Sequence, residues 1–168
     1  VSTMTLVGFG QQGHNPAQQL SFVLTEELVD MLSLEDVCAA WSEQPPTYCV
    51  RKKLITALGK TAATVHNHGM NHRDFYLCHF LIHRHDPLFA GEKTEPAMYE
   101  PTLYVIDLHR AQIRAKVPTR WLVKDLASLY FSALNIGLTK RDVLRFLRSY
   151  LGPKVSQQLR AAPGFWRK

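Results

Sequence analysis

NHRDFYLCHFL, residues 71–81, joins a polar segment to an apolar one and decides which fold the sequence predicts. Before it, apolar residues recur at helical spacing over residues 50–66, and Gly69 is a suitable helix stop. Its last two residues begin the segment Phe80–His83, which has the apolar character of a strand. The sequence therefore predicts a polar loop, with Asp74 at its centre, between a helix and a strand.

A second carboxylate, Asp107, ends an apolar segment at residues 103–107 that we predict to be a strand. In kinase-like enzymes, the carboxylate of a His-Arg-Asp loop accepts the proton of the substrate hydroxyl, and an aspartate further along the chain holds magnesium. His72-Arg73-Asp74 and Asp107 match both parts of this arrangement. The pattern leaves one alternative open, a polar turn and an unrelated aspartate.

The remaining signals predict an α+β fold dominated by helix. Strands are predicted at residues 3–9 and 20–25. Capping-box residues open two of the predicted helices, Ser33 with Asp36 and Thr139 with Asp142. The predicted helices outside the 50–66 segment are residues 33–41, 120–134, 139–152 and Val155–Ala161.

The sequence GFGQQG, which contains Gly8, Gly10 and Gly13, matches the glycine pattern of nucleotide-binding loops. A dinucleotide fold needs a helix to begin inside the motif, whereas a second strand is predicted to follow here. A kinase phosphate loop needs a lysine on the following strand, and no lysine precedes Lys52. We therefore predict a glycine-rich hairpin turn.

Charge is distributed unevenly along the 168 residues. The net charge is +6, but residues 1–50 carry −6 and the remainder carries +12. The basic part predicts an anionic partner such as a phosphate, an anionic lipid or an acidic protein. Nucleic acid is not the expected partner, because no nucleic-acid-binding motif is present.

The predicted helix at residues 139–152 carries two different faces. One face holds three arginines and is either a solvated basic face or a docking stripe for an anionic lipid or an acidic protein: Arg141, Arg145 and Arg148. Another face, which we predict to be core, holds Leu144, Leu147 and Leu151.

Six of the eight histidines lie between residues 66 and 85, which raises zinc binding as an alternative. The cluster lacks the H-E-x-x-H pattern and has no Cys/His pair with the spacing of a structural zinc site. A zinc hydrolase is therefore the weaker hypothesis.

Several long motifs together make the sequence resemble the bacterial lipopolysaccharide core heptose(I) kinase family. They are residues 22–28, 71–81, 105–112, 124–131 and 135–150. The resemblance implies a protein-kinase-like fold, with residues 1–27 as a remnant of the small lobe and the hinge, and residues 28–168 as the helical large lobe. It also implies ATP-dependent phosphorylation of a heptose on the lipopolysaccharide inner core, with Mg²⁺, at the cytoplasmic face of the inner membrane.

By position, the resemblance assigns a role to each motif residue. Asp74 is the catalytic base, with His72 and Arg73 in the same catalytic loop, and Asp107 is the magnesium ligand. His79 stands where eukaryotic protein kinases have Asn, and the resemblance therefore places it among the residues that bind the nucleotide cofactor. The backbone of Glu26, Glu27 and Leu28 would face adenine at the hinge. For Asp125 two alternatives remain open: a brace beneath the catalytic loop, or a surface or helix-capping carboxylate.

Family members also carry an N-terminal portion with the phosphate-facing loop and its lysine, which we expect to lie outside these residues. On that basis, we expect the 168-residue chain alone to be inactive. The family's association with acyl carrier protein makes that acidic protein a candidate partner, and peripheral contact with the inner membrane is compatible with the basic surface. The alternatives are a kinase for another small hydroxyl substrate, or a non-catalytic kinase-like interaction module.

Overall fold

The computed structural model describes residues 1–13, 15, 18–90 and 99–161. Within them, the strands are β1 (Leu6–Gln12), β2 (Leu20–Thr25), β3 (Met31–Ser33), β4 (Met70–Asn71), β5 (Phe80–His83), β6 (Tyr104–Val105) and β7 (Gln112–Ile113). The helices are α1 (Leu34–Cys38), α2 (Tyr48–Asn67), α3 (Thr119–Ser132), α4 (Lys140–Leu151) and α5 (Val155–Ala161). None of the described helices combines the length and apolar character that crossing a bilayer requires.

The first two strands form an antiparallel hairpin with Leu6 opposite Thr25. The prediction for GFGQQG was wrong for two of its glycines, because Gly8 and Gly10 lie inside β1 and only Gly13 reaches the turn, at φ +101°. A Cβ atom at Gly10 would lie 2.3 Å from the ring of Phe22, so a larger residue there would require this exposed ring to move. Among the described residues, β2 is the element that follows the motif, as predicted.

A three-stranded sheet in the order β3-β5-β6 carries the central part of the chain. β5 was predicted correctly, but the strand predicted at residues 103–107 is shorter and covers Tyr104–Val105 only. The two strands are antiparallel, with Phe80 opposite Val105. Both side chains are fully buried and anchor the sheet on the core. The pairing of β5 with β6 therefore fixes the position of the chain just before Asp107.

A single cluster of buried side chains joins this sheet to the helices. α2 begins at Thr47, whose side chain caps it, and ends before Gly69, which adopts a left-handed φ of +79° as its predicted role requires. α1 keeps its predicted cap at Ser33 but ends at Cys38, earlier than predicted. The buried apolar residues include Leu34, Trp41, Leu54, Ala62, Val65, Phe75, Leu77, Phe80, Ile82 and Val105.

The predicted faces of α4 are partly wrong. Leu144, predicted as core, is 50% exposed, and the aromatic residues Phe146 and Tyr150 pack against the core in its place. Of the three arginines on the basic face, Arg145 is not free: its guanidinium donates to Asp142 at 2.7 Å and lies over the ring of Tyr48. The basic face is thus reduced to the exposed Arg141 and Arg148.

Asp142 joins α4 to α2 through a buried ion-pair network. Its carboxylate accepts hydrogen bonds from Thr139, which completes the predicted capping box, and from Arg51 of α2 at 3.1 Å. Burial alone would raise the pKa of Asp142, but the hydrogen bonds from Thr139 and the charges of Arg51 and Arg145 outweigh it and lower that pKa. The side chain is only 3% exposed, so this pairing is well shielded from water.

We expect Asp142→Ala to lower the free energy of unfolding by about 3 kcal/mol, because it leaves a buried cation without its partner. Asp36→Ala is the matched control: Asp36 occupies the equivalent capping position of α1 but is exposed, so its loss should cost about 1 kcal/mol or less. Urea unfolding measures both values. Equal losses in the two variants would contradict the importance assigned to the Arg51 contact.

The same network predicts a pH dependence. Since folding lowers the pKa of Asp142, the ionised carboxylate contributes stability above its unfolded pKa of about 3.9, and this contribution is lost as pH falls through the lower folded value. Asp142→Asn should therefore flatten the acid side of the stability curve, which urea unfolding at a series of pH values measures.

Candidate active site

A buried carboxylate on α3 holds the loop that follows β4. Asp125 is 0% exposed, and its two oxygens accept hydrogen bonds from the backbone N–H groups of His72 at 2.8 Å and Arg73 at 2.9 Å. Arg73 adopts a left-handed φ of +77°, which a non-glycine residue takes up only where its surroundings hold it. Of the two alternatives for Asp125, the structure therefore shows the brace beneath the loop.

Asp125 is itself connected to two further helices. Nε2 of His66, on α2, lies 3.4 Å from the Asp125 carboxylate, and Nδ1 of the same ring is 2.8 Å from the hydroxyl of Tyr150 on α4. Burial raises the pKa of Tyr150, so its hydroxyl stays protonated and can donate. The base of the loop is therefore tied to α2, α3 and α4 together.

His72 joins the loop to the strand that leads to Asp107. Its Nε2 atom is 2.9 Å from the backbone oxygen of Ile106, which favours the tautomer with the proton on Nε2. Burial lowers the pKa of His72 and keeps the ring neutral. Because His72 is fully buried, it positions the neighbouring residues and is not exposed to a substrate.

Asp107 follows β6 in a left-handed conformation, with φ +62°. Its carboxylate contacts Nδ1 of His109 and lies 3.4 Å from Nε2 of His79. The hydrogen bond from His109 lowers the pKa of Asp107, in spite of an opposing contribution from burial. Asp107 is thus an ionised and partly exposed carboxylate.

His79 connects the two aspartate segments. Its Nδ1 atom is 2.6 Å from the backbone oxygen of Asp74, and its Nε2 faces the Asp107 carboxylate. In addition, the backbone oxygen of His79 accepts the N–H of Ile106 at 3.0 Å. The structure therefore brings together Asp74, His79 and Asp107, which the sequence predicted as parts of one site.

The carboxylate of Asp74 is bound by a residue that the sequence analysis missed. The guanidinium of Arg110 donates to both oxygens of Asp74, at 2.8 and 3.1 Å. Asp74 is mostly buried and Arg110 is about half exposed. The sequence signal that could have indicated Arg110 was its position three residues after Asp107. His109, two residues after Asp107, was likewise not predicted as a contact of that carboxylate.

The predicted hinge, Glu26 to Leu28, follows directly on β2. Glu26 N–H donates to the backbone oxygen of Thr5, and the two glutamates are exposed. The hairpin is connected to the site through Thr3, whose hydroxyl donates to the backbone oxygen of Val105 at 2.6 Å. Hydrogen bonds therefore connect the residues just before the hairpin, which ends at the predicted hinge, to β6, the strand that precedes Asp107.

Three of the histidines that raised the zinc hypothesis lie outside this site. His66 lies beneath the loop, and the ring of His83 accepts the N–H of His85. In the described part of the chain, no three His, Cys, Asp or Glu side chains are grouped so that they could hold a metal ion.

The imidazole of His79 links the backbone oxygen of one aspartate, in a loop supported from α3, to the carboxylate of a second aspartate that follows a strand. This arrangement defines a kinase-like protein. A solved structure of WaaP in complex with acyl carrier protein matches with a TM-score of 0.85 and 45% identity. The match covers 99% of this chain and 66% of that one, and it confirms the predicted kinase-like α+β fold.

The family model described as Lipopolysaccharide kinase (Kdo/WaaP) family matches residues 1–150, and the chain belongs to this family. The lipopolysaccharide core heptose(I) kinase WaaP of Escherichia coli (strain K12) is 49% identical over 152 residues, which are 90% of this chain and 54% of that protein. The WaaP kinase of Pseudomonas aeruginosa (strain PAO1) is 46% identical over 164 residues, which are 98% of this chain and 58% of that protein. The chain thus spans little more than half the length of these relatives.

We expect Asp125→Asn to release the loop, because an amide can accept only through its oxygen while two backbone donors need an acceptor. Amide hydrogen exchange at His72 and Arg73 should rise by more than tenfold, from the loss of one charge-assisted hydrogen bond. Ser132→Ala is the control: it removes the acceptor of the Leu77 N–H, so faster exchange should be confined to Leu77. Unchanged protection at His72 and Arg73 would contradict the brace.

Proposed function

We propose that the protein to which this chain belongs transfers the γ-phosphoryl group of ATP to a heptose hydroxyl of the lipopolysaccharide inner core. The observation that carries the proposal is the connection of Asp74 to Asp107 through His79, since phosphoryl transfer requires a base and a cation anchor held in a fixed relation. Family membership and two heptose(I) kinase relatives support the substrate.

Asp74 is the proposed general base. Its carboxylate can orient the attacking hydroxyl and take up its proton, which is the role of the aspartate in a His-Arg-Asp loop. Arg110 donates to both carboxylate oxygens, and each oxygen keeps a second lone pair that can accept the attacking hydroxyl. Arg73 and His72 act through the loop backbone, which keeps Asp74 in place.

Asp107 is the proposed magnesium anchor. A partly exposed carboxylate fits this ion, which binds proteins through one or two carboxylates and takes its other ligands from water and substrate phosphates. The ring nitrogens of His79 and His109 are poor magnesium ligands, so we assign them to orienting the carboxylate. Magnesium bound there with ATP would neutralise charge on the phosphate oxygens.

The nucleotide's adenine would lie against the backbone of Glu26, Glu27 and Leu28, with residues 1–27 as the end of the small lobe and residues 28–168 as the large lobe. The connection from Thr3 to Val105 supports this, since it joins the hinge segment to the Asp107 strand. Acyl carrier protein is a proposed partner, because a WaaP structure contains it. We place the protein at the cytoplasmic face of the inner membrane, where its acceptor is assembled.

We expect Asp74→Asn in the full-length protein to keep ATP binding and to lower turnover by roughly 10²- to 10⁴-fold, because an amide cannot take up the hydroxyl proton. Transfer of radiolabel from ATP to isolated lipopolysaccharide core measures this. Glu43→Gln, which changes an exposed carboxylate, should leave turnover unchanged. Near-normal turnover in Asp74→Asn would exclude this residue as the base. Absence of transfer in the unaltered protein, with ATP still bound, would favour another hydroxyl acceptor or an interaction module.

We expect Asp107→Ala to make nucleotide affinity insensitive to magnesium, because the carboxylate that anchors the ion is gone. Calorimetric titration with ATP, in the presence of magnesium and then of a chelator, measures the difference. Glu43→Gln, which changes an exposed carboxylate outside the site, should keep the magnesium response. A normal magnesium response in Asp107→Ala would place the ion elsewhere.

A further inference from the structure

Three positively charged side chains surround the indole of Trp121 at the start of α3. The charged groups of Arg73, Arg120 and Lys124 lie 5.0, 5.2 and 5.4 Å from the ring centroid. We call these three residues and Trp121 the cation cluster. Arg73 comes from the catalytic loop and is the chain neighbour of Asp74, so the cluster reaches the proposed active site.

The cations of the cluster lack acidic partners in the described part of the chain. Only some of the described basic residues are ion-paired, namely Arg51 and Arg145 with Asp142, Lys60 with Glu100, and Arg110 with Asp74. The cluster differs from the other unpaired cations because its three charges lie around one ring. No described carboxylate lies within ion-pair distance of Arg73, Arg120 or Lys124. The positive charge of the cluster is therefore not neutralised by those residues.

This concentration of charge is unfavourable in the protein by itself. Because each cation is within 5.4 Å of the same ring, no two are more than about 11 Å apart. With a Debye length of about 8 Å at physiological salt, the repulsion between these cations is only partly screened. Arg120 and Lys124 are also like charges at i and i+4, at a helix end that favours acidic residues and has none in its first turn. Cation–π contacts stabilise the cations but do not cancel their charge.

Two buried donors add to this. Nε of Arg73 and Nε1 of Trp121 are inaccessible to solvent and have no hydrogen-bond partner among the described residues. Buried donors are nearly always paired in native proteins, so two of them in one cluster call for a physical explanation. An anion bound at the cluster would neutralise this charge, and a shift of the two side chains that exposes these donors would let the anion accept their hydrogen bonds.

The surrounding chain has the same electrostatic character. Residues 108–124, which lead from Asp107 to the helix that carries Asp125, contain five Lys and Arg residues and no Asp or Glu. They are Arg110, Arg114, Lys116, Arg120 and Lys124. This side of the loop therefore attracts anions over a wider area than the cluster itself.

We propose that the cation cluster binds an anionic group, a carboxylate or a phosphate, on the acceptor saccharide while a neighbouring hydroxyl of that saccharide lies at Asp74. The inference rests on the proposed function and identifies how the acceptor is recognised. Arg73 and Trp121 are only partly exposed, in contrast to Arg120 and Lys124. A saccharide entering the site can reach all four, whereas headgroups of a flat bilayer would contact mainly the two exposed cations.

The test uses the full-length protein with Arg120→Gln and Lys124→Gln combined. Lys140→Gln combined with Arg141→Gln is the control, because it removes the same charge from exposed positions on α4. The probes are a lipid-free inner-core oligosaccharide and the same oligosaccharide with its carboxylates esterified and its phosphates removed. We expect the KM for the acidic probe to rise roughly 10- to 100-fold in the cluster variant, with kcat nearly unchanged. With the neutral probe, the cluster variant should match the unaltered protein.

Equal KM values in the cluster variant and the control would overturn the proposal, as would an equal loss for the acidic and neutral probes. Loss of binding to phosphatidylglycerol vesicles without a change in KM for the lipid-free acidic probe would also overturn it, in favour of a membrane contact. Equilibrium binding of both probes by calorimetry separates this proposal from the proposed function. If the unaltered protein binds the acidic probe through the cluster but transfers no phosphate, only the proposed function fails.

Discussion

The buried carboxylate of Asp125 is the contact on which the arrangement of the site depends. The loop at His72 and Arg73 presents two backbone donors in the interior, one of them on a residue in a left-handed conformation. A single ionised acceptor satisfies both, and each charge-assisted bond is worth about 1.5–3 kcal/mol. Through His66 and Tyr150, the same carboxylate draws in α2 and α4, so three helices hold one short loop.

Pairing of β5 with β6 then brings the second carboxylate to this loop. The register of Phe80 opposite Val105 leaves Asp107 next to the end of the loop, where His79 reaches both segments. Both Arg73 and Asp107 have positive φ, and positive-φ residues outside glycine are few in the described chain. Backbone strain is thus concentrated beside the proposed base and the proposed metal anchor, as is common at functional sites.

Charged residues serve two different purposes in this structure. Arg51, Asp142 and Arg145 neutralise one another inside the protein and connect α2 with α4. The cation cluster at Trp121 has no such compensation among the described residues, although it lies beside the catalytic loop. Cations without acidic partners are common on protein surfaces, but three of them around one indole next to the proposed base are consistent with the anion site proposed above.

Local signals in the sequence were enough to specify several of the elements. The strand Phe80–His83, the capping box of Thr139 and Asp142, and the helix Val155–Ala161 follow from neighbouring residues, and the structure has all three. Long motifs also sufficed to identify the kinase-like fold. Only the tertiary structure decided that Asp125 braces the loop, that Arg110 binds Asp74, and that Leu144 faces solvent. These features depend on contacts between segments far apart in the chain, and helical or strand periodicity carries no information about which distant residue will lie opposite.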